Sequence, residues 1–140
     1  MKQIADALEL LTAQHEEISV ALAQLPTGDV RALPRALGEL ADQVATHLAI
    51  EEQFMATLGL TTASAEHDEV RGELAELLVM ELSSPELSAR IEDFAARWTR
   101  HSSGQEQTFV ALAETLSADV LAGIGVQLGE LSERSRCLAA

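Results

Sequence analysis

Histidine is scarce in this chain, and its few copies are spread along the whole length. The four positions are His15, His47, His67 and His101. Each has acidic residues a few positions away, and each falls in a different predicted helix. Imidazole nitrogen and carboxylate oxygen suit iron and the neighbouring transition metals. A four-helix bundle can point one such group from each helix at a shared centre, so the pattern predicts a buried metal site.

Two glutamates are candidate ligands because of their spacing from a histidine. Glu51 follows His47 by four residues, and residues four apart project from one face of a helix. This pair therefore offers a nitrogen and an oxygen to the same centre, and a carboxylate can bridge two metals. Glu106 follows His101 by five residues, which is about 140° of rotation in a regular helix. A π-bulge, often found at functional sites, would bring Glu106 to that face, and Gly104 lowers its cost.

A satisfied core histidine is the ordinary alternative at any one of the four positions. A purely structural explanation is strained for the four histidines together, because each lies on or beside an apolar stripe. Glu66 is a candidate for holding a ligating imidazole in place. The other acids near the histidines are interpreted as solvated residues or as similar supports: Glu16, Glu17, Glu52, Asp68 and Glu69. Iron, manganese and zinc all remain open, because this ligand set discriminates poorly between them.

Apolar residues recur at steps of three and four along most of the chain, which predicts helices. The predicted helices span about 2–25, from 30–34 to 58, 64–82, 85–116 and 120–134, with Pro and Gly at the breaks. Short loops between long helices imply antiparallel neighbours. The predicted fold is therefore all-α, an up-down-up-down four-helix bundle with a short C-terminal fifth helix. We expect a single domain over 1–140, with a core of about 2–116 and the last helix at about 118–134.

Composition narrows the class of protein further. The net charge of −14, from 23 acids and 9 bases, argues against nucleic acid and against anionic membranes, since both need a basic face. No apolar run approaches the length of a membrane span, and the N-terminus lacks the features of a signal peptide. These features predict a cytoplasmic protein.

Two residue types exclude further kinds of chemistry. The lone cysteine, Cys137, permits neither an internal disulfide nor a Cys-based zinc site. The lack of tyrosine excludes tyrosyl-radical chemistry.

Several segments, taken in order, resemble one known family. They are His15, the segment from His47 through Glu51-Glu52 to Phe54, the pair Glu66-His67, His101 with a following acid and Phe109, and the closing stretch 116–119. Over about 8–131 the chain is similar to the hemerythrin-like family of HHE cation-binding domains. That resemblance implies a four-helix bundle with two non-haem irons joined by an oxo or hydroxo bridge. The four histidines would be terminal ligands, and Glu51 and Glu106 would bridge.

Two positions depart from the family pattern. Oxygen-carrying members have another histidine four residues after the third-helix one, where this chain has Arg71. One iron would then lack a protein ligand, and the arginine could favour a bound anion. Many other members place a glutamate four residues after the fourth-helix histidine, where this chain has Gln105. The chain is a hybrid of the two patterns, so reversible oxygen carriage does not carry over.

Two functions follow from these observations. The leading hypothesis is a di-iron protein that binds or reacts with oxygen, nitric oxide or peroxide, in sensing or detoxification. The alternative is an iron- or redox-responsive regulatory bundle that acts through a partner protein, in which metal occupancy sets helix packing. A plain helical bundle without metal is a third possibility. The sequence identifies no protein partner.

Overall fold

The computed structural model of the chain describes residues 6–60 and 64–139. Five helices form in these residues: α1 (Ala7–Ala23), α2 (Leu33–Thr57), α3 (Ser64–Val79), α4 (Leu87–Thr115) and α5 (Ala118–Ala139). The described residues contain no strand, so the all-α prediction is confirmed. The first predicted helix began at residue 2, and its opening residues lie outside the described part.

Local chemistry explains several helix ends. Asp6 caps α1, where its side chain accepts a 2.8 Å hydrogen bond from the backbone N–H of Glu9. Pro34 stands in the first turn of α2, where a missing N–H costs nothing. Gly59 follows α2 with φ of 70°, a left-handed conformation that glycine adopts without strain. The Ser117 hydroxyl accepts from the N–H of Val120 and starts α5.

The fifth helix is longer than expected. It runs for 22 residues, against 17 for α1 and 16 for α3. The residues after 134 contain neither Pro nor Gly, so nothing in the backbone stops the helix there. Helix α5 packs against α1 and α2, and it is therefore part of the bundle rather than a short appendix.

The first four helices close into a ring of neighbours. Helix α1 packs against α2 and α4, and α3 packs against the same two helices. Contacts between α3 and α4 show antiparallel order, because Arg90 pairs with Glu76 and Arg97 pairs with Glu69. No helix among the described residues is long and apolar enough to cross a membrane.

Two separate apolar clusters fill the interior. The first draws on α1 to α4 and includes Ile18, Leu40, Val44, Val70, Phe94 and Trp98. The second draws on α1, α2, α4 and α5 and includes Leu11, Ile50, Phe54, Phe109, Ile124 and Leu128. Along α1, α2 and α4 the histidine lies between residues of the first cluster and residues of the second. The polar site is therefore enclosed at both ends by packed side chains.

Candidate metal centre

The carboxylate of Glu51 stands at the centre of the buried histidines. Its Oε2 lies 3.1 Å from His47 Nε2 and 3.2 Å from His101 Nε2. Its Oε1 lies 3.7 Å from His67 Nε2. Glu51 is completely buried, and the three imidazoles are buried with it. One carboxylate therefore meets groups from α2, α3 and α4, as the i,i+4 spacing of His47 and Glu51 predicted for the first of them.

His15 completes the cluster from α1. Its ring centroid lies 4.6 Å from that of His47 and 5.7 Å from that of His101. One ligand atom from each of His15, His47, Glu51 and His101 lies within 4.8 Å of all the others, a group that could hold a metal ion. His67 adjoins this group through Glu51. The structure thus brings together all four histidines that the sequence singled out.

The outer nitrogen of three imidazoles is held by a side chain of a different helix. His47 Nδ1 lies 2.8 Å from Gln14 Oε1, His67 Nδ1 lies 3.0 Å from Glu52 Oε1, and His101 Nδ1 lies 2.8 Å from Glu66 Oε1. Because each of these oxygens accepts, each Nδ1 donates, and Nε2 is the nitrogen that faces the centre. Such partners fix the ring orientation of metal-ligating histidines and raise their basicity.

The atoms at the centre lack ordinary partners. Those that are buried without a hydrogen bond are His15 Nδ1, His15 Nε2, His47 Nε2, His67 Nε2 and Glu51 Oε1. A buried polar atom left unpaired costs roughly 1–3 kcal/mol, so several at one point call for a ligand. Nitrogen and carboxylate oxygen donors fit a transition metal. The donor set therefore fits a metal centre.

Burial makes the imidazoles of α1 and α2 hard to protonate. Burial, aided by the neighbouring His47, lowers the pKa of His15 to about 3. Burial also lowers the pKa of His47, although Glu51 opposes the shift. Burial pushes the Glu51 pKa up, but the close ring nitrogens of His101, His47 and His67 outweigh burial and hold that pKa well below its usual range. His15, His47 and Glu51 are thus in the deprotonated forms that bind metal.

The imidazoles of α3 and α4 differ, because each touches two carboxylates. Burial lowers the pKa of His67, yet Glu51 and Glu52 outweigh burial and raise it overall. For His101, burial is outweighed in the same way by Glu51 and Glu66, and the pKa is raised. A metal that binds on this side must therefore displace protons that His67 and His101 hold more tightly than an ordinary imidazole does.

Aromatic side chains pack against one side of the site. Trp98 is almost fully buried, its ring lies 5.2 Å from His101, and its indole N–H donates to the backbone oxygen of His15. Phe109 stacks on His15 at 6.0 Å with its ring nearly parallel, and Phe54 packs against Phe109. These residues exclude water from one side of the histidine cluster.

Glu106 does not join the central group. Helix α4 is regular α-helix throughout Leu87–Thr115, so the expected π-bulge is absent from it. Glu106 is consequently rotated toward solvent, with its side chain 48% exposed and its Oε1 3.6 Å from His15 Nδ1. Ligation by Glu106 stays a prediction, and it would require the side chain to move.

The two positions that depart from the family pattern behave differently from one another. The guanidinium of Arg71 contacts the carboxylate of Glu52 at 2.9 and 3.0 Å, and an anion at this position stays a prediction. Gln105 is partly buried, and its Oε1 has no hydrogen-bond partner.

Gln14 is the site residue that sequence reasoning missed. It is buried, it accepts from His47, and its amide nitrogen donates to the buried Ser132 of α5 at 3.4 Å. The available signal was its place on the apolar stripe, three residues after Leu11 and four before Ile18. A polar residue at such a position needs a buried partner.

Two surface depressions approach the site. A cleft of about 400 Å³ between α1, α2 and α5 has Gln14, His47 and Ser132 in its wall. A wider groove between α1 and α4 runs past Glu106 and Phe109. Both depressions lie against residues that touch the histidine cluster, so they are the candidate routes for small molecules.

A helical bundle with buried imidazoles around a carboxylate defines a metal-binding helical protein. Comparison with protein families agrees, because the hemerythrin HHE cation binding domain matches residues 6–113. The chain therefore belongs to the hemerythrin-like HHE family, and the resemblance inferred from the sequence is confirmed. No curated protein and no solved structure matches the chain.

Proposed function

We propose that the protein is a non-haem di-iron protein that binds or reacts with a small ligand, either oxygen, nitric oxide or peroxide, in sensing or detoxification. The observation that supports this function is the set of four buried imidazoles, three of which turn Nε2 toward Glu51 while both nitrogens of His15 lack a hydrogen bond. A stable core would not gather so many unpartnered polar atoms without a ligand to satisfy them.

A second ion is supported by His67, which lies outside the group of His15, His47, Glu51 and His101 that could hold one ion. His15 and His47 form one close pair, with centroids 4.6 Å apart, and His67 and His101 form another at 5.4 Å. Glu51 presents an oxygen to members of both pairs. Glu51 and the histidines of both pairs are therefore the residues that would hold the ions. Glu106 is the second carboxylate within reach, beside His15.

The protein's own residues would set the properties of the centre. Bound iron would supply reversible one-electron chemistry and a coordination position for the small ligand. Gln14, Glu52 and Glu66 orient the imidazoles, and Trp98 and Phe109 exclude water. Arg71 stands where oxygen carriers of the family have a further histidine, which favours sensing or detoxification over transport.

The test begins with anaerobic loading with Fe(II), followed by metal analysis per chain. Oxygen, nitric oxide and hydrogen peroxide are then added separately while the visible spectrum is recorded. We expect about two irons per chain and a spectral change with at least one ligand. The variant Glu51→Gln should lose metal, whereas Glu39→Gln on the exposed face of the same helix should not. Full loading without a response to any ligand would refute the proposal.

One contact favours the regulatory alternative as a second candidate. Ser132 of α5 bonds to Gln14, which bonds to His47, so a metal ligand is connected to a helix that lies beyond the matched residues 6–113. Metal binding would then change the stability of α5. Amide hydrogen exchange with and without Fe(II) tests this function, and equal protection of α5 in both states would exclude it.

A further inference from the structure

Arg71 makes a two-pronged contact with a single carboxylate. Its Nη1 lies 2.9 Å from Glu52 Oε1, and its Nη2 lies 3.0 Å from Glu52 Oε2. A more distant contact joins Nη1 to Asp68 Oδ1 at 3.7 Å. Paired N–H···O bonds between guanidinium and carboxylate fix the orientation of both planes. Arg71 therefore holds Glu52 in one position across the interface between α3 and α2.

In that position Glu52 also contacts His67. Its Oε1, which Arg71 contacts, also accepts the hydrogen bond from His67 Nδ1 at 3.0 Å. The opposite nitrogen of the ring, His67 Nε2, points to Glu51 Oε1. Three side chains from two helices thus form a series, in which Arg71 sets Glu52 and Glu52 sets the ring of His67.

Arg71 is needed to hold Glu52, because Glu52 is partly exposed to solvent. Glu52 is 33% exposed, unlike the buried Gln14 that holds His47. A glutamate with access to water gains hydration when it turns outward, and its side chain regains rotamer freedom. Local packing thus restrains Glu52 less than it restrains Gln14, and the guanidinium supplies the missing restraint. Arg71 and His67 lie one turn apart on α3, so the whole series fits between two helices.

We propose that Arg71 is a positioning residue of the metal centre, which acts through Glu52 to aim the Nε2 of His67 at the site. The proposal rests on the proposed function in one respect, namely that His67 is a metal ligand. It gives a chemical role to the departure from the family pattern. At this position the chain exchanges a metal ligand for a cation that orients another ligand.

The positioning itself is tested without metal, by NMR of the metal-free chain. The proton on His67 Nδ1 should be observable and protected from exchange with water, because Glu52 accepts it. Arg71→Ala should speed its exchange by about tenfold or more, and Arg71→Lys should restore part of the protection, since lysine supplies charge without the two-pronged geometry. Arg97→Ala is the matched control, because Arg97 also pairs with glutamates of α3. An unchanged exchange rate of the His67 Nδ1 proton in Arg71→Ala would overturn the proposal.

The consequence for the site is tested by titration with Co(II), a visible probe for imidazole and carboxylate ligands. Losing the support of a ligating histidine costs roughly 10–100-fold in metal affinity, so Glu52→Ala should fall in that range. Arg71→Ala should weaken Co(II) by about 3–10-fold, less than the loss of Glu52 itself. In a Glu52→Ala background the Arg71 substitution should add nothing. An equal additional loss in that background would show that Arg71 acts elsewhere, and would overturn the proposal.

These two measurements separate the two proposals. A chain that binds no Co(II) would refute the proposed function, while the NMR measurement would still decide whether Arg71 positions His67. A chain that binds Co(II) equally well with and without Arg71 would refute the positioning role alone. Circular dichroism melts of each variant identify any that fail to fold.

Discussion

Replacing His15 by leucine should stabilise the metal-free protein. Both ring nitrogens of His15 are buried without a hydrogen bond, and the nearest carboxylate oxygen, on Glu106, is 3.6 Å away, beyond hydrogen-bonding range. An unsatisfied buried polar group costs roughly 1–3 kcal/mol. Leucine removes that cost and adds apolar contact with Trp98 and Phe109. It loses the stacking with Phe109, which is worth about 0.5–1.5 kcal/mol.

The net gain should be about 1 kcal/mol, the difference between the midpoints of these two ranges. For a chain of this size, 1 kcal/mol corresponds to roughly 3–4 °C in Tm, so His15→Leu should melt about 3–4 °C higher. The assay is thermal unfolding followed by circular dichroism in excess chelator. In the presence of metal the order should reverse, because the variant lacks a ligand. The centre would then be a functional feature maintained against the stability of the empty fold.

The matched control is His101→Leu, the same substitution in a histidine that has partners. His101 bonds to Glu66 and Glu51, so its loss strands a buried carboxylate and should destabilise the metal-free chain by about 1–3 kcal/mol. If His15→Leu destabilises the metal-free protein as much as His101→Leu does, the His15 nitrogens are satisfied by water and the reasoning fails.

The same substitution should also change how the stability of the fold depends on pH. Burial lowers the pKa of His15 to about 3 from 6.5, so the unfolded state binds a proton below pH 6.5 that the folded state does not. This group therefore contributes a loss of stability as the pH falls from 6.5 toward 3. His15→Leu should lose less stability over that window than the parent chain does. Equal slopes in urea unfolding would contradict the shift.

Three further outcomes test the site and its surroundings. Chelation should lower Tm, because a ligand at 100 times its Kd stabilises the fold by about 2.7 kcal/mol; equal melting with and without chelator would mean that metal does not bind the folded chain. Trp98→Ala should cost about 3–5 kcal/mol, since Trp98 is a fully buried core residue, and a loss below 1 kcal/mol in urea unfolding would show that the core relaxes around it. Gln14→Leu should weaken Co(II) binding by roughly tenfold through His47, whereas Gln53→Leu on the exposed side of α2 should leave the affinity unchanged.

The sequence determined the features that depend on local geometry. Helical periodicity predicted the fold class, and the prolines and glycines predicted the breaks between helices. The spacing of four between His47 and Glu51 placed both on one helix face, because 3.6 residues make a turn. One histidine on each of four helices predicted their convergence. Each of these inferences needs only the helix repeat and the closure of a bundle.

Only the tertiary structure decided which side chains hold the imidazoles. Glu66 adjoins His67 in sequence, yet it accepts from His101 of the antiparallel neighbour, while His67 takes its partner from α2. Those pairings depend on the axial register of adjacent helices, which is set by packing of the whole interior.

The packing of the helices also explains the positions of Glu106 and Arg71. Glu106 stays half-exposed because α4 continues without a bulge, and a bulge is an outcome of packing on all sides of a helix. Arg71 turns from the centre to Glu52 because a carboxylate of the next helix lies within its reach. Helix periodicity assigns a side chain to a face, but the long-range register of packed helices assigns it a partner.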